Sequence, residues 1–182
     1  MALDLSSITV LKTRPTVQPC GIAVGDVMLR IRQLRSADSH AIEQHLLGLA
    51  PMDRRARFLG NLADEAISAY VRRLNPYRAV LIGAFDPSER LVGLAEAHPT
   101  DVLGRVELAV SIDATFRHHG LGQRLVTRAL ALAFVHGAES AELNFISGNR
   151  PVIALVETLG GRFGPKLGYA LIDRYASETQ AT

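Results

Sequence analysis

The feature that most constrains the fold is segment 105–124, where an alternating stretch, a glycine-containing loop and a helical pattern follow one another. Apolar residues at every second position of 106–112 predict a β-strand with one buried face. The loop at 117–122 reads RHHGLG, and apolar residues recur at helical spacing from Leu125 onward. Glycines let backbone N–H groups approach an anion closely, and the start of a helix attracts negative charge. The segment therefore predicts a diphosphate site between a strand and a helix.

Two familiar diphosphate motifs do not fit this loop. A P-loop requires Gly-Lys-Ser/Thr, and no such sequence follows Gly122. A dinucleotide-binding loop requires a third glycine three residues after the second, where this chain has Leu125. Arg117 and Arg124 flank the loop and add positive charge. A glycine turn that caps the helix without any ligand is the structural alternative.

The rest of the chain predicts strands and helices in mixed order. Strands are expected at residues 27–34, 79–85, 91–98, 105–112, 142–146, near 163 and at 169–175. Helices are expected at 40–47, over 52–74 with a break near Gly60 and Asn61, after the loop segment that ends at Arg124, and at 150–159. This order predicts an α/β (α+β) fold with a mixed sheet in a single domain. We expect that domain to span residues 27–176, after an extended or flexible arm at 1–26 and before a tail at 177–182.

Composition excludes several classes of protein. The 182 residues carry a formal net charge of +2 and no long run of basic residues, which argues against a nucleic-acid partner. Cys20 is the single cysteine, so neither an intramolecular disulfide nor a cysteine-rich metal site is expected. No apolar stretch is long enough to cross a bilayer, and the first residues do not resemble a secretory signal. A cytoplasmic protein without a membrane partner is the expectation.

The pattern Arg-x-x-Gly-x-Gly between a strand and a helix resembles the acyl-CoA pyrophosphate loop of the GNAT superfamily of N-acyltransferases. The stretch from Asn149 to Leu159-Gly160 is similar to the second motif of that family, although Gly161 stands where phenylalanine is usual. The resemblance implies a mostly antiparallel mixed sheet flanked by helices. Residues 49–52, 57–58 and 106–110 show a weaker similarity to the bacterial protein-lysine acetyltransferase branch.

The resemblance also implies roles for individual residues. Glu107 would be the general base, directly or through water, with Glu96 on the preceding strand as its substitute. Backbone groups of Val110 and Ile112 would pair with pantetheine, the loop amides would bind the pyrophosphate, and Asn149 would contact the pantetheine arm. The residues assigned to acetyl-CoA are Val110, Ile112, Arg117, His118, His119, Gly120, Leu121, Gly122, Gln123, Arg124 and Asn149.

One feature of many relatives is absent. They carry a tyrosine in the helix of the second motif that protonates the departing thiolate, and this chain has Val156 at or near that position. His118 and His119 are adjacent and point apart, so no metal site is expected. His40 and His45 are given no function, because five residues poorly match one helix face.

Three functional hypotheses follow. The first is an acetyl-CoA-dependent N-acetyltransferase acting by direct transfer, with a protein lysine as the slightly favoured acceptor and a small-molecule amine or amino acid as the alternative. The second is a non-catalytic acyl-CoA-binding regulatory module. The third is a nucleotide-binding domain of another class. A homodimer through exposed strands is compatible with each of them.

Overall fold

The protein is described by a computed structural model covering residues 19–174. Eight strands form one sheet: β1 Cys20–Val24, β2 Val27–Gln33, β3 Val80–Phe85, β4 Leu91–Pro99, β5 Arg105–Ile112, β6 Ser140–Asn144, β7 Arg162–Phe163 and β8 Tyr169–Asp173. Five α-helices accompany them: α1 Ser39–Leu47, α2 Pro51–Phe58, α3 Asp64–Arg73, α4 Leu121–Val135 and α5 Arg150–Thr158. No helix in this part of the chain is long and apolar enough to cross a membrane.

The sheet has the order β1-β2-β3-β4-β5-β6-β8-β7. All neighbouring strands are antiparallel except β5 and β6, which run parallel. The predicted α/β (α+β) class with a mixed, mostly antiparallel sheet flanked by helices is confirmed. The predicted strand at 105–112 coincides with β5, whereas β6 begins two residues before its predicted start.

The sheet extends further toward the N-terminus than predicted. Cys20–Val24 pairs with β2 through a two-residue turn in which Gly25 adopts φ 57°. The strand thus lies inside the segment 1–26 that was predicted to be an arm. Residues 1–18 of that arm and the predicted tail at 177–182 lie outside the described residues.

Two apolar clusters lie on opposite faces of the sheet. The larger one joins α4 and α5 to the sheet through buried residues such as Leu125, Val126 and Val156. The smaller one joins α1 and α3 to the other face through Leu46, Ile67 and other buried side chains. Because residues alternate across a strand, β5 sends Val106 and Leu108 into the larger cluster and turns Glu107 and Ser111 toward the side of α1–α3.

Candidate active site

The candidate site lies where the parallel strands β5 and β6 stop pairing. Their register runs from Arg105 opposite Ser140 to Glu107 opposite Glu142 and ends there. Beyond that pair, residues of both strands line a cavity of about 480 Å³. The start of α4, part of α5 and one side of α2 complete its wall. The break in pairing therefore produces a cleft in the middle of the sheet.

Most of the residues predicted to bind acetyl-CoA surround this cleft. Nine of the eleven line it: Val110, Ile112, Arg117, His118, Gly120, Leu121, Gly122, Gln123 and Asn149. The other two, His119 and Arg124, are exposed and lie outside the lining. The contiguous motif and the distant Asn149 thus meet at one site.

The loop before α4 turns sharply at Gly120. This residue has φ 73°, a left-handed conformation that glycine adopts without steric cost, and it occupies the N-cap of α4. Glycine has no side chain with which to cap the helix. The first helical hydrogen bond runs from the Arg124 N–H to the Gly120 carbonyl at 3.1 Å, so the amides of residues 121–123 precede the helical ladder. With the helix dipole, these amides can receive an anion.

Arg117 is held by protein groups on both sides. Its Nε donates to the Ile112 carbonyl at 3.0 Å, and its guanidinium forms an ion pair with Asp53 of α2 at 2.6 Å. The side chain therefore connects the end of β5 to α2 across the cavity. Sequence reasoning gave Arg117 to the cofactor and did not identify Asp53 as its partner.

Asn149 and Val156 define the contribution of α5. The Asn149 side chain caps the helix by accepting a hydrogen bond from the Val152 N–H at 3.4 Å. Val156 is fully buried among core residues, so the position expected for a tyrosine faces away from solvent. Tyr169 instead lies on β8, where its hydroxyl donates to Glu142 at 3.2 Å.

Glu107 is an exposed carboxylate at the last paired position of β5. Glu107 is not part of the cavity lining. It accepts a hydrogen bond at 3.2 Å from the side chain of Asn144, which does line the cavity. His98 of β4 lies directly opposite Glu107 in the antiparallel register. Glu107 therefore stands at the margin of the cavity on the side of the sheet that carries α1–α3.

Glu96 occupies a different environment. It is fully buried, forms an ion pair with Arg57, and accepts hydrogen bonds from the Tyr70 hydroxyl at 2.5 Å and from His98 Nε2 at 3.0 Å. Burial alone would raise its pKa, but the charge of Arg57 and the hydrogen bonds from His98 and Arg57 lower the pKa of Glu96 to about 2. This carboxylate is held charged by its partners and does not line the cavity, which argues against its predicted substitute role.

A second buried polar group joins α1 to β5. His45 Nε2 lies 2.8 Å from the hydroxyl of Ser111, a residue that lines the cavity. His45 Nδ1 lies 3.2 Å from the Leu91 carbonyl and 3.3 Å from a carboxylate oxygen of Asp113. Sequence reasoning missed this cluster and gave His45 no function.

No group of three or more His, Cys, Asp or Glu residues within the described range 19–174 could hold a metal ion. The candidate site thus consists of a cleft, the N-terminus of a helix, one marginal carboxylate and a buried histidine–serine pair. Helix amides that can bind a phosphate group and a carboxylate that can accept a proton fit an enzyme that acts on a phosphate-containing compound.

The comparisons agree with that class. The profile described as "Acetyltransferase (GNAT) family" matches residues 46–160, which is more than half of the chain. The chain therefore belongs to the GNAT acetyltransferase family, and the resemblance of its loop is confirmed. None of the curated protein sequences matches the chain.

Solved structures share the fold at low sequence identity. The GNAT domain of S. lividans PAT has 12% identity and a TM-score of 0.70, covering 85% of this chain and 96% of that one. A putative acetyltransferase from Acinetobacter baylyi ADP1 has 20% identity and a TM-score of 0.65, covering 82% and 94%. PaiA N-acetyltransferase from Thermoplasma acidophilum, in complex with coenzyme A, has 16% identity and a TM-score of 0.58, covering 80% and 98%.

Proposed function

We propose that this protein is an N-acetyltransferase that transfers the acetyl group of acetyl-CoA to a primary amine by direct attack. The observation that carries the proposal is the cleft between β5 and β6, which ends at the glycine loop and the N-terminus of α4. The cleft offers unpaired strand edges for an extended pantetheine arm and helix amides for the diphosphate. Membership in the GNAT family supports this choice over a nucleotide-binding domain of another class.

The glycine loop suits a diphosphate sterically. A Cβ added at Gly120 would meet no heavy atom within 4 Å, so open space lies beside the backbone there. We assign the amides of residues 118–123 to the diphosphate, the backbone of Val110 and Ile112 to pantetheine, and Asn149 to the pantetheine arm. The side chains of His119 and Arg124 are exposed and lie outside the cavity lining, so His119 would contribute its backbone N–H and Arg124 its long-range positive charge.

Glu107 is the proposed general base. An alkyl ammonium has a pKa of about 10, so the acceptor must lose a proton before it attacks. Glu107 is exposed at the edge of the cleft, where a carboxylate can reach an incoming amine through a bridging water. We infer the water relay because a carboxylate is a weak base toward an ammonium ion.

The acceptor would approach from the side of α1–α3. The similarity of residues 49–52 and 106–110 to the protein-lysine acetyltransferase branch favours a protein lysine, and the fold shared with the GNAT domain of S. lividans PAT is consistent with it. A small-molecule amine or amino acid is the alternative. We further propose a cytoplasmic location, which suits a chain with one cysteine.

Calorimetric titration with acetyl-CoA, ATP and NAD tests the cofactor assignment. We expect saturable binding of acetyl-CoA alone among the three. An absence of acetyl-CoA binding would refute the proposal, and preferential ATP or NAD binding would favour the rival nucleotide-binding class.

An acceptor screen that reads free thiol from acetyl-CoA tests turnover. Lysine-containing peptides and small amines should be compared in the same assay, with Glu107→Gln as the active-site variant. Glu142→Gln is the matched control, because Glu142 lies directly opposite on β6. A chain that binds acetyl-CoA but acetylates nothing would favour the non-catalytic module.

A further inference from the structure

Three polar or charged side chains are buried in the described part of the chain: His45, Glu96 and Ser111. Arg57, Tyr70 and His98 account for Glu96, because they satisfy both of its carboxylate oxygens. His45 and Ser111 instead bond to each other, and the hydroxyl belongs to a residue of the cavity wall. A buried imidazole bonded to the hydroxyl of a cavity-lining residue is a pair of groups that the proposed direct transfer does not yet use.

The groups around the His45 ring determine which ring nitrogen carries a hydrogen. The two groups near Nδ1, the Leu91 carbonyl and the Asp113 carboxylate, are both hydrogen-bond acceptors. Nδ1 therefore carries a hydrogen, an assignment made from the hydrogen-bonding pattern. Asp113 also pairs with Arg90 at 3.0 Å, which fixes the carboxylate beside the ring.

Two states of the ring satisfy this pattern and orient the Ser111 hydroxyl in opposite directions. In the neutral ring, Nε2 accepts the hydroxyl hydrogen of Ser111. In the imidazolium, Nε2–H donates to the Ser111 oxygen, and the hydroxyl hydrogen is then free to point into the cavity. The pair can thus pass a proton from a buried ring to the cavity.

We propose that Ser111 donates a proton to the sulfur of the departing CoA. His45 is the positioning residue, and it supplies a new proton to the Ser111 oxygen. The inference rests on the proposed acetyl transfer and deepens it, because α5 has a buried valine where relatives carry a tyrosine acid. Ser111 lies between Val110 and Ile112, the residues assigned to the pantetheine arm, so its hydroxyl is on the strand that would carry the thioester.

The proposed acetyl transfer conserves bonds and protons. The acceptor nitrogen forms a bond to the thioester carbonyl carbon, the carbon–sulfur bond breaks, and its electron pair goes to sulfur. The Ser111 hydroxyl gives its hydrogen to sulfur while His45 Nε2–H gives its hydrogen to the Ser111 oxygen. The products are the amide, CoA thiol and a neutral imidazole that keeps its Nδ1 hydrogen toward Asp113, while Glu107 and water remove the proton of the amine.

The thiol pKa of CoA in its complex with the protein tests this proposal without any acceptor. A free thiol of this kind has a pKa of about 8.5. If Ser111 donates to the sulfur, the thiolate is stabilised, and the ultraviolet absorbance of bound thiolate should give a pKa below that of free CoA. In Ser111→Ala the pKa should be about one unit or more higher than in the wild-type complex, equivalent to about 1.4 kcal/mol.

Two further variants keep the result interpretable. Ser111→Thr retains a hydroxyl on the same strand and should restore most of the shift, whereas a merely structural role would give no such rescue. Ser140→Ala removes another bonded strand hydroxyl outside the cavity and should leave the thiol pKa unchanged. If Ser111→Ala does not fold, the thiol pKa of CoA bound to the wild-type protein still tests the proposal. A thiol pKa equal to or above that of free CoA overturns it.

The outcomes separate this inference from the proposed function. A chain that does not bind CoA would refute both, whereas binding with no difference between wild type and Ser111→Ala would refute only the role of Ser111. Mass spectrometry after incubation with acetyl-CoA alone examines the other use of an activated serine. An acetyl adduct on Ser111 would show a nucleophile and would overturn the proton-donor role.

Discussion

Gly120 and Gly122 lie two residues apart in the same loop, yet substituting each with alanine should change stability in opposite directions. Gly122 is the second residue of α4, and a Cβ there would lie 3.7 Å from Ile112, which is ordinary van der Waals contact. Alanine is favoured over glycine in a helix by up to about 1 kcal/mol. Gly120 has φ 73°, where a residue with a Cβ costs about 1–2 kcal/mol.

These free energies convert into measurable melting temperatures. For a domain of this size, each kcal/mol shifts the Tm by roughly 2–4 °C. Gly122→Ala should therefore raise the Tm by up to about 4 °C, and Gly120→Ala should lower it by about 2–8 °C.

Both alanines should weaken CoA binding, since each methyl group would stand beside amides assigned to the diphosphate. A hydrogen bond to a charged group contributes about 1.5–3 kcal/mol, so losing one would raise the Kd by about 10- to 100-fold. Thermal unfolding and calorimetric titration with CoA measure the two effects on the same samples. Gly122→Ala is the decisive variant, because it separates a gain in stability from a loss of binding.

Gly137→Ala is the matched control. Gly137 has φ 99° beyond the end of α4 and no heavy atom within 4 Å of an added Cβ, so its alanine variant should lower the Tm without changing CoA affinity. The reasoning would be refuted if Gly122→Ala bound CoA as the wild type does, or if it lost as much stability as Gly120→Ala.

Three other predictions concern charged residues: Glu107, Asp53 and the buried Glu96. Glu107→Gln should lower kcat by about 10²- to 10⁴-fold, the usual contribution of a general base, with little change in Tm because the side chain is exposed; equal turnover would remove Glu107 as the base. Asp53→Asn should tighten CoA binding, measured by calorimetry at low salt, because it releases Arg117 toward the diphosphate, and weaker binding would contradict this. The pKa of Glu96 in the folded protein is about 2, below its ordinary value, so the charged carboxylate stabilises the fold at neutral pH. This stabilisation should be lost as the pH drops from about 4.5 toward 2. Glu96→Gln should have a lower Tm at neutral pH and lack this part of the acid dependence, and parallel Tm–pH curves would show that the ion pair with Arg57 adds no stability.

The cofactor side of the molecule could be predicted because its information is local in sequence. The alternation in β5, the glycine loop and the apolar period of α4 are contiguous, and each specifies a backbone conformation directly. Asn149 is distant in sequence, and it was identified because residues 149–160 resemble the second motif of the family; in the structure it is the N-cap of α5.

The N-terminal strand was predictable in principle and was missed. Its sequence contains Gly21 and follows a stretch rich in serine, threonine and proline, which suggested an irregular arm. The signal that identifies it is Gly25-Asp26 between two stretches with apolar residues, a pair typical of a two-residue hairpin turn.

The acceptor side could not be predicted, because its polar pairs form only through tertiary packing. Arg57 and Glu96 are 39 residues apart, and His45 and Ser111 are 66 apart. No spacing rule connects such residues, and each looks like an ordinary surface residue of a helix or a strand. Arg117 is a further example. Its charge suggested a contact with a phosphate group, whereas in the structure it forms an ion pair with Asp53, which is distant in sequence.

The core is divided between the two faces of the sheet. The cofactor cleft is supported by the cluster that joins α4 and α5 to one face of the sheet, whereas α1 and α3 rest on a separate cluster on the opposite face. The residues that pack α1 and α3 against the sheet thus belong to a different cluster from those that support the loop before α4. Two polar pairs connect the loop before α4 and the end of β5 to the helices on the other face: Arg117 with Asp53, and Ser111 with His45. Both pairs start from β5 or the loop that follows it and end on α1 or α2, so a change in either helix reaches the strand whose unpaired end forms the cleft.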